Sequence, residues 1–238
     1  MVKFGIRQSF DKIEQIADRY ADIKVPVEVA VPYYWDIYEP VRAHLGEIAK
    51  KIKSYGTQVL SVHAVQAPIT DERFKAWGKE TAEFAKALEA TTITLHPNNV
   101  NKDKAVQDEA VKNLEYFDGL YKNEVIFCIE TFEGKRRVFT PDEIASLSLP
   151  MTLDTSHIRD DEKVWSLLKG YKERILNVHL SAREGAKQHL PIDDFCKDVV
   201  EYLIDNKWSG NVILEYLYEY HDQMLKDLEF LTHCVENL

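Results

Sequence analysis

The chain is poor in cysteine: Cys128, Cys196 and Cys234 are its only three, far apart and without a Cys-x-x-Cys step. That excludes a dense disulfide framework and predicts reduced thiols. No run approaches the ~18 apolar residues that a membrane span needs, and the opening "MVKFGIRQSF" lacks the longer apolar segment of a secretion signal. A cytoplasmic protein with no membrane partner is the expectation. Low-complexity tracts, linkers rich in Pro, Gly or Ser and composition breaks are also missing, so residues 1–238 read as one domain. An excess of positive charge is missing as well. Thirty Lys and Arg against forty Asp and Glu leave a net charge of −10, which repels polyanions on average without excluding a local basic patch.

What is present is a pattern repeated eight times: a short β-branched run, then an amphipathic charged stretch. The runs are "VKFGIR" (2–7), "VPVEVAV" (25–31), "QVLSVHA" (58–64), "TTITLHP" (91–97), "EVIFCIE" (124–130), "PMTLDTS" (150–156), "LNVHLSA" (176–182) and "NVILEYL" (211–217). Their composition is that of parallel strands buried on both faces. Between them, "DKIEQIADRYADI" (11–23), "YEPVRAHLGEIAKKIKSYG" (38–56) and "DERFKAWGKETAEFAKALEA" (71–90) carry apolar residues at helical spacing. In "TPDEIASL", Thr140 predicts an N-cap, with Pro141 at the first helical position and Glu143 closing a capping box. Eight strands alternating with helices imply an α/β fold of the (β/α)₈ barrel type. An open doubly wound sheet would stop at fewer strands and carry a Gly-rich phosphate loop after the first, and none is present.

Active sites of such barrels gather at the C-terminal ends of the strands. From the third run to the eighth, those ends read His63, His96, Glu130, Asp154 with His157, His179, and Glu215. One histidine in an apolar strand is ordinarily a core residue bonded to a carbonyl. Six successive ends bearing imidazole or carboxylate, with His189 shortly after, are harder to explain that way. Three carboxylates buried together destabilise the fold by several kcal/mol each unless cations pair them. A divalent metal is the expected partner, and mixed N and O ligands suit Zn²⁺, Mn²⁺ or Fe²⁺ over Ca²⁺ and Mg²⁺. One or two per chain are expected. His44, His221 and His233 are not counted as ligands.

The segments "LHPN", "LDTSH", "VHL" and "QHLPI" resemble the xylose-isomerase-like barrel superfamily, which holds sugar isomerases and epimerases, related dehydratases, and abasic-site nucleases of the endonuclease IV type. The isomerase branch implies one metal on Glu130, Asp154, His179 and Glu215. The nuclease branch implies three: His63 and His96 with a bridging Glu130, then the same four-residue set, then His157 and His189. Where that branch carries a further aspartate, two residues before the last histidine, this chain has Lys187, a cation that cannot ligate.

Two chemistries follow from the resemblance. For an isomerase or epimerase acting on a carbohydrate or sugar phosphate, Glu130 and Glu215 shuttle a proton through an enediolate, and His157 orients a substrate oxygen. Arg183 then resembles the loop arginine that holds a substrate oxygen in some epimerases, and Lys187 adds a contact to a phosphate. For a phosphodiesterase acting on nucleic acid, paired metals activate water. The acidic balance argues against the nuclease, and the one basic candidate loop is "EGKRRVF" (133–139). The aromatic loop "PYYWDIYEP" (32–40), with Tyr33, Tyr34, Trp35 and Tyr38, reads as a lid over a sugar, a stacking platform for a base, or a protein interface; its place at the catalytic mouth favours substrate contact. Tyr216, Tyr218 and Tyr220 read as packing residues.

Overall fold

The structure is a computed structural model that describes residues 1–10, 25–32, 35–98, 102–121, 124–134 and 137–236. Eight parallel strands close into a barrel: β1 (Val2–Ser9), β2 (Val27–Ala30), β3 (Val59–His63), β4 (Thr92–Leu95), β5 (Ile126–Glu130), β6 (Met151–Asp154), β7 (Ile175–Leu180) and β10 (Gly210–Leu214), with β10 bonding back to β1. The remaining strands, β8 (Ala182–Glu184) and β9 (Lys187–Leu190), form an antiparallel hairpin over the mouth. This hairpin departs from the expectation of a plain loop after β7. Gly185 takes a left-handed φ of +59° in its turn, and the Leu217 N–H donates to the His189 carbonyl at 2.9 Å, tying the hairpin to the end of β10.

Along each strand one face looks outward to the helices and the other into the lumen. The outward set is aliphatic: Val29, Val62, Ile93, Leu153, Val178 and Val212 are all fully buried. Against them lie the dry faces of α1 (Trp35–Arg42), α2 (Leu45–Ser54), α3 (Phe74–Ala87), α4 (Lys104–Tyr121), α5 (Pro141–Ser146), α6 (Asp161–Tyr171), α7 (Asp194–Asp205) and α8 (His221–Glu236). The capping box of α5 forms as predicted: Thr140 accepts from the Glu143 N–H, and the Glu143 carboxylate accepts from the Thr140 N–H at 2.7 Å. Two helical expectations change. The stretch 38–56 is two helices rather than one, broken at His44, whose N–H turns back to the Val41 carbonyl at 2.9 Å. The helix expected over 11–23 lies outside the described residues.

Tyr38 is corrected as well. It is not on a lid: the ring is buried in α1, edge-on to Trp77 with centroids 6.0 Å apart, and its hydroxyl donates to Glu80 at 3.3 Å. Tyr33 and Tyr34 lie outside the described residues, as does the side chain of Trp35. Tyr218 is no packing residue, being 88% exposed. All three cysteines are free thiols, and no described helix is long and apolar enough to cross a membrane.

Candidate metal centre

Because strand side chains alternate with a period of two, a residue at a strand's last lumen-facing position points into the barrel mouth. His63, Glu130 and Asp154 are the last residues of their strands, His179 is the penultimate residue of β7, and His96 and Glu215 follow β4 and β10 by one. All eight expected ligands come together there in three overlapping groups, with ligand atoms within 4.8 Å of one another in each. They are His63, His96 and Glu130; Glu130, Asp154, His179 and Glu215; and Asp154, His157 and His189.

Glu130 is the hub. Its Oε2 lies 3.2 Å from His63 Nε2 and in close contact with His96 Nε2, while its Oε1 lies 3.1 Å from His179 Nδ1 and 3.3 Å from His157 Nδ1. Asp154 anchors itself with one oxygen: Oδ1 accepts from the N–H groups of Ser156 and His157 at 2.7 and 2.8 Å and from the Ser156 hydroxyl at 3.0 Å. Its other oxygen, Oδ2, is buried and makes no well-formed hydrogen bond, its near neighbour being His157 Nδ1 at 3.3 Å, and the same holds for His157 Nδ1 itself and for Glu215 Oε2, which faces His179 Nδ1 at 3.0 Å. Buried polar atoms in native proteins are almost always satisfied. Three orphans on three neighbouring ligand residues, all electron-pair donors when deprotonated, fit a divalent cation of the Zn²⁺, Mn²⁺ or Fe²⁺ type.

Two functional residues were not anticipated. Glu28, in the middle of β2, is fully buried; its carboxylate accepts from the Ser61 hydroxyl at 2.6 Å and sits 3.2 Å from His179 Nε2. A carboxylate on the far nitrogen selects the tautomer of a neutral His179, with the proton on Nε2 and the lone pair of Nδ1 available to the ligand cluster. The available signal was a charged residue inside the apolar run "VPVEVAV". Arg7, near the end of β1, pairs with Glu215 Oε1; both side chains are about nine-tenths buried.

Charge governs protonation here. Burial pushes the Glu130 carboxyl up, but the imidazoles of His96 and His179 outweigh it and hold Glu130 well below the usual carboxylate range. Glu215 is held low in the same way, against burial, by Arg7 and His189. Burial pulls His157 down, yet the Asp154 and Glu130 carboxylates push it up to about 9. His179 is raised well above the ordinary imidazole value by Glu28 and Glu130, against burial. Burial, aided by Arg7, keeps His63 low. Protons on His157 and His179 thus stand in for part of the cationic charge that a metal would bring.

His189 has a left-handed φ of +59°, a conformation that disfavours L side chains by ~1–3 kcal/mol, and its ring lies 5.0 Å from that of His157. The expected cations of the hairpin turn elsewhere. Arg183 reaches Asp161 at 3.5 Å, and Lys187 Nζ bonds Glu219 at 3.1 Å and the Tyr220 hydroxyl at 2.9 Å. In the "EGKRRVF" loop, Lys135 and Arg136 lie outside the described residues, and Arg137 donates to the Phe132 carbonyl.

This architecture has known counterparts. The family model of the xylose isomerase-like TIM barrel matches residues 20–234, and the chain belongs to that family. No curated protein matches it in sequence. Among solved structures it is similar to a D-tagatose 3-epimerase-like protein, at 17% identity and TM-score 0.71 over 99% of this chain and 98% of that one. A 3-keto-D-glucoside 4-epimerase from E. coli aligns at 13% identity and TM-score 0.69 over 98% of this chain and all (100%) of the other. Endonuclease IV from Thermus thermophilus aligns at 15% identity and TM-score 0.62 over 97% and 99% of the two chains. At such identities the likeness is one of fold.

Proposed function

We propose that this chain is a cytoplasmic, divalent-metal-dependent isomerase or epimerase of a sugar or sugar phosphate, moving a proton through an enediolate. One observation carries the reading: Glu130 Oε1 and Glu215 Oε2 flank His179 Nδ1 at 3.1 and 3.0 Å, with Asp154 Oδ2 at 3.9 Å, so four donors from four successive barrel strands converge. Glu130, Asp154, His179 and Glu215 would hold one cation of Zn²⁺, Mn²⁺ or Fe²⁺, and His63 and His96 with Glu130 a second. When bound, such a cation supplies Lewis-acid polarisation of a hydroxyl and carbonyl pair. The chain's own groups do the rest. Glu130 and Glu215 are the proposed shuttle: the carboxylate on one side, ionised, takes the proton from the carbon between those oxygens, and the other, carrying a proton in that form of the enzyme, delivers one from the opposite side. His157 donates to a substrate oxygen, and Trp35, entering α1 after β2, is a substrate contact of the mouth.

A second reading, a metal-dependent phosphodiesterase, is favoured by the surplus of ligands, since His63, His96, His157 and His189 exceed what one metal needs. The test is deuterium wash-in from solvent across a panel of ketoses and ketose phosphates with Mn²⁺-loaded protein, beside cleavage of an abasic-site duplex. The isomerase reading expects metal-dependent exchange that Glu215→Gln lowers by about 10²-fold or more. Strand cleavage without exchange, or exchange unchanged in Glu215→Gln, contradicts it.

A further inference from the structure

His189 is a strained residue in an open place. Its backbone is left-handed, its side chain is 20% exposed, and β9, which carries it, is buried only in part. Strain of this kind persists where the surrounding structure over-determines it, and it gathers at functional sites. The hairpin must therefore be held, and the contacts that hold it differ in kind. Lys187 and Arg183 reach solvent-facing carboxylates, Glu219 and Asp161, in pairs that contribute little in water. Gln188 donates to the Ser156 carbonyl at 3.2 Å. Two main-chain donors then tie the hairpin to the segment that follows Glu215: the Leu217 N–H donates to the His189 carbonyl, and the Ile192 N–H donates to the Tyr216 hydroxyl, both at 2.9 Å.

Tyr216 is itself braced. Its hydroxyl donates to Asp227 Oδ2 of α8 at 2.7 Å, and Asp227 Oδ1 accepts from the Gln223 amide one turn earlier at 2.8 Å. A phenol that donates to a carboxylate makes a charge-assisted bond and becomes a better acceptor for the N–H behind it. Ile192 is where such a bond counts, because Pro191 has no N–H and the Ile192 N–H is the first main-chain donor after β9. Glu215 looks into the ligand cluster while Tyr216, the next residue, reaches out to α8. A closed ring results: from Glu215 to Tyr216, through the hydroxyl to Ile192, and back through Pro191 and Leu190 to His189, whose Nδ1 lies 3.7 Å from Glu215 Oε1.

We infer that Tyr216 is a positioning residue: braced by Asp227, its hydroxyl pins the C-terminal foot of the hairpin and so fixes His189 beside Glu215, with its ring 5.0 Å from that of His157. The inference rests on the metal-centre reading for what His189 serves there. The clamp itself does not depend on turnover. It gives α8, which contributes none of the clustered ligands, a part in shaping the site.

Two measurements on the full chain test the clamp. In Co²⁺-loaded protein, paramagnetically shifted imidazole signals report the position of each ring relative to the ion, and His189→Gln identifies the signal that belongs to His189. Tyr216→Phe keeps the ring and removes both hydroxyl bonds. It should displace the His189 signal and leave those of His63, His96 and His179 in place, a selectivity that general loosening of the fold would not produce. Asp227→Ala should act in the same direction, whereas Asp227→Asn, which retains an oxygen for the phenol, should keep the parent spectrum. The second measurement needs no metal: tryptic cleavage after Lys187, followed by mass spectrometry, should be about tenfold faster in Tyr216→Phe relative to cuts elsewhere in the chain. An unmoved His189 signal in Tyr216→Phe overturns the clamp, as does cleavage after Lys187 that rises only in step with the other sites. Protein that takes up no Co²⁺ refutes the metal-centre reading, and the cleavage ratio then decides the clamp alone.

Discussion

Two polar layers lie inside this barrel, two residues apart along the strands, and they differ in how their polar atoms are satisfied. Apart from Glu28, which is level with Ser61 and leaves its Oε1 unpaired, the lower layer is neutral and closed. Asn177 donates to Thr94 and Thr152 at 3.3 Å, and its carbonyl oxygen accepts from Thr92 at 3.0 Å and Asn211 at 2.9 Å. Thr94 and Thr152 bond each other at 2.8 Å, so donors and acceptors from β4, β6, β7 and β10 meet across the lumen. The upper layer, one strand repeat of ~6–7 Å above it, is charged and open: Asp154 Oδ2, His157 Nδ1 and Glu215 Oε2 are buried without well-formed hydrogen bonds. Burial of polar groups is therefore not what marks the functional site, because both layers have it. Imbalance marks it.

Exchanging one residue in each layer should separate their roles most strongly. Asp154→Asn keeps the oxygen that accepts from Ser156 and His157 but removes the negative charge. It should cut metal affinity by about 100-fold or more while shifting the urea midpoint of metal-free protein little. Asn177→Ala should do the reverse: it removes four hydrogen bonds at once, destabilising the fold by about 3 kcal/mol, with metal affinity kept within a few-fold. If both variants lose stability and metal together, the layers are one unit and the distinction fails.

Glu28 tests the link between the layers. It is level with Ser61 in strand register and touches His179 above, so Glu28→Gln should weaken metal binding by about 10–100-fold while preserving the Ser61 contact. Shifted spectral bands of Co²⁺-substituted protein would report the altered imidazole, and an unchanged spectrum would assign Glu28 to the lower, structural layer.

Acidity offers a smaller effect with a definite sign. His157 is raised in the folded chain from 6.5 to about 9, so its stabilising charge is fully present below pH 6.5 and is lost as pH rises through about 9. Metal-free protein should accordingly melt at lower temperature between those values as pH increases. Metal-loaded protein should instead weaken toward acid, where protons compete for His157 and His179. Parallel curves with and without metal would remove these imidazoles from the ligand set. The smallest effect belongs outside both layers: Thr140→Ala, which opens the α5 capping box, should lose about 1 kcal/mol and leave metal binding untouched, and any change in affinity would show that the rim responds to the scaffold at large.

All eight barrel strands were legible in the sequence because a strand buried on both faces reads as an uninterrupted apolar run, and the gathering of the eight rim side chains was legible because the barrel rule points to the C-terminal ends and the loops that follow them. The rule also hid things. It directs attention to strand ends, and Glu28 sits within one, where its only trace is a carboxylate between valines. Arg7 ends the first run, yet a search for metal-competent side chains passes over guanidinium. The lower layer looked like ordinary β-propensity, although Ser61, Thr94, Cys128, Thr152 and Asn177 each stand two residues before a ligand, the spacing that puts both on the lumen face. Tyr38 misled because α1 begins at Trp35, and the helical turn that follows carries the ring inward from the mouth. The β8–β9 hairpin could not be read from apolar pattern, since β9 is only partly buried and its left-handed His189 follows no local propensity.

Completion of the open layer by a divalent cation, as proposed above, has a decisive measurement. Metal content of protein purified without added metal, followed by chelation and recording of the melting temperature with Mn²⁺ or Zn²⁺ restored, tests it directly. One or two equivalents per chain are expected, with restored metal at a hundred times its dissociation constant adding about 2.7 kcal/mol of stability. Protein that carries no metal, and whose melting neither Mn²⁺ nor Zn²⁺ shifts, would show that no such cation completes the layer.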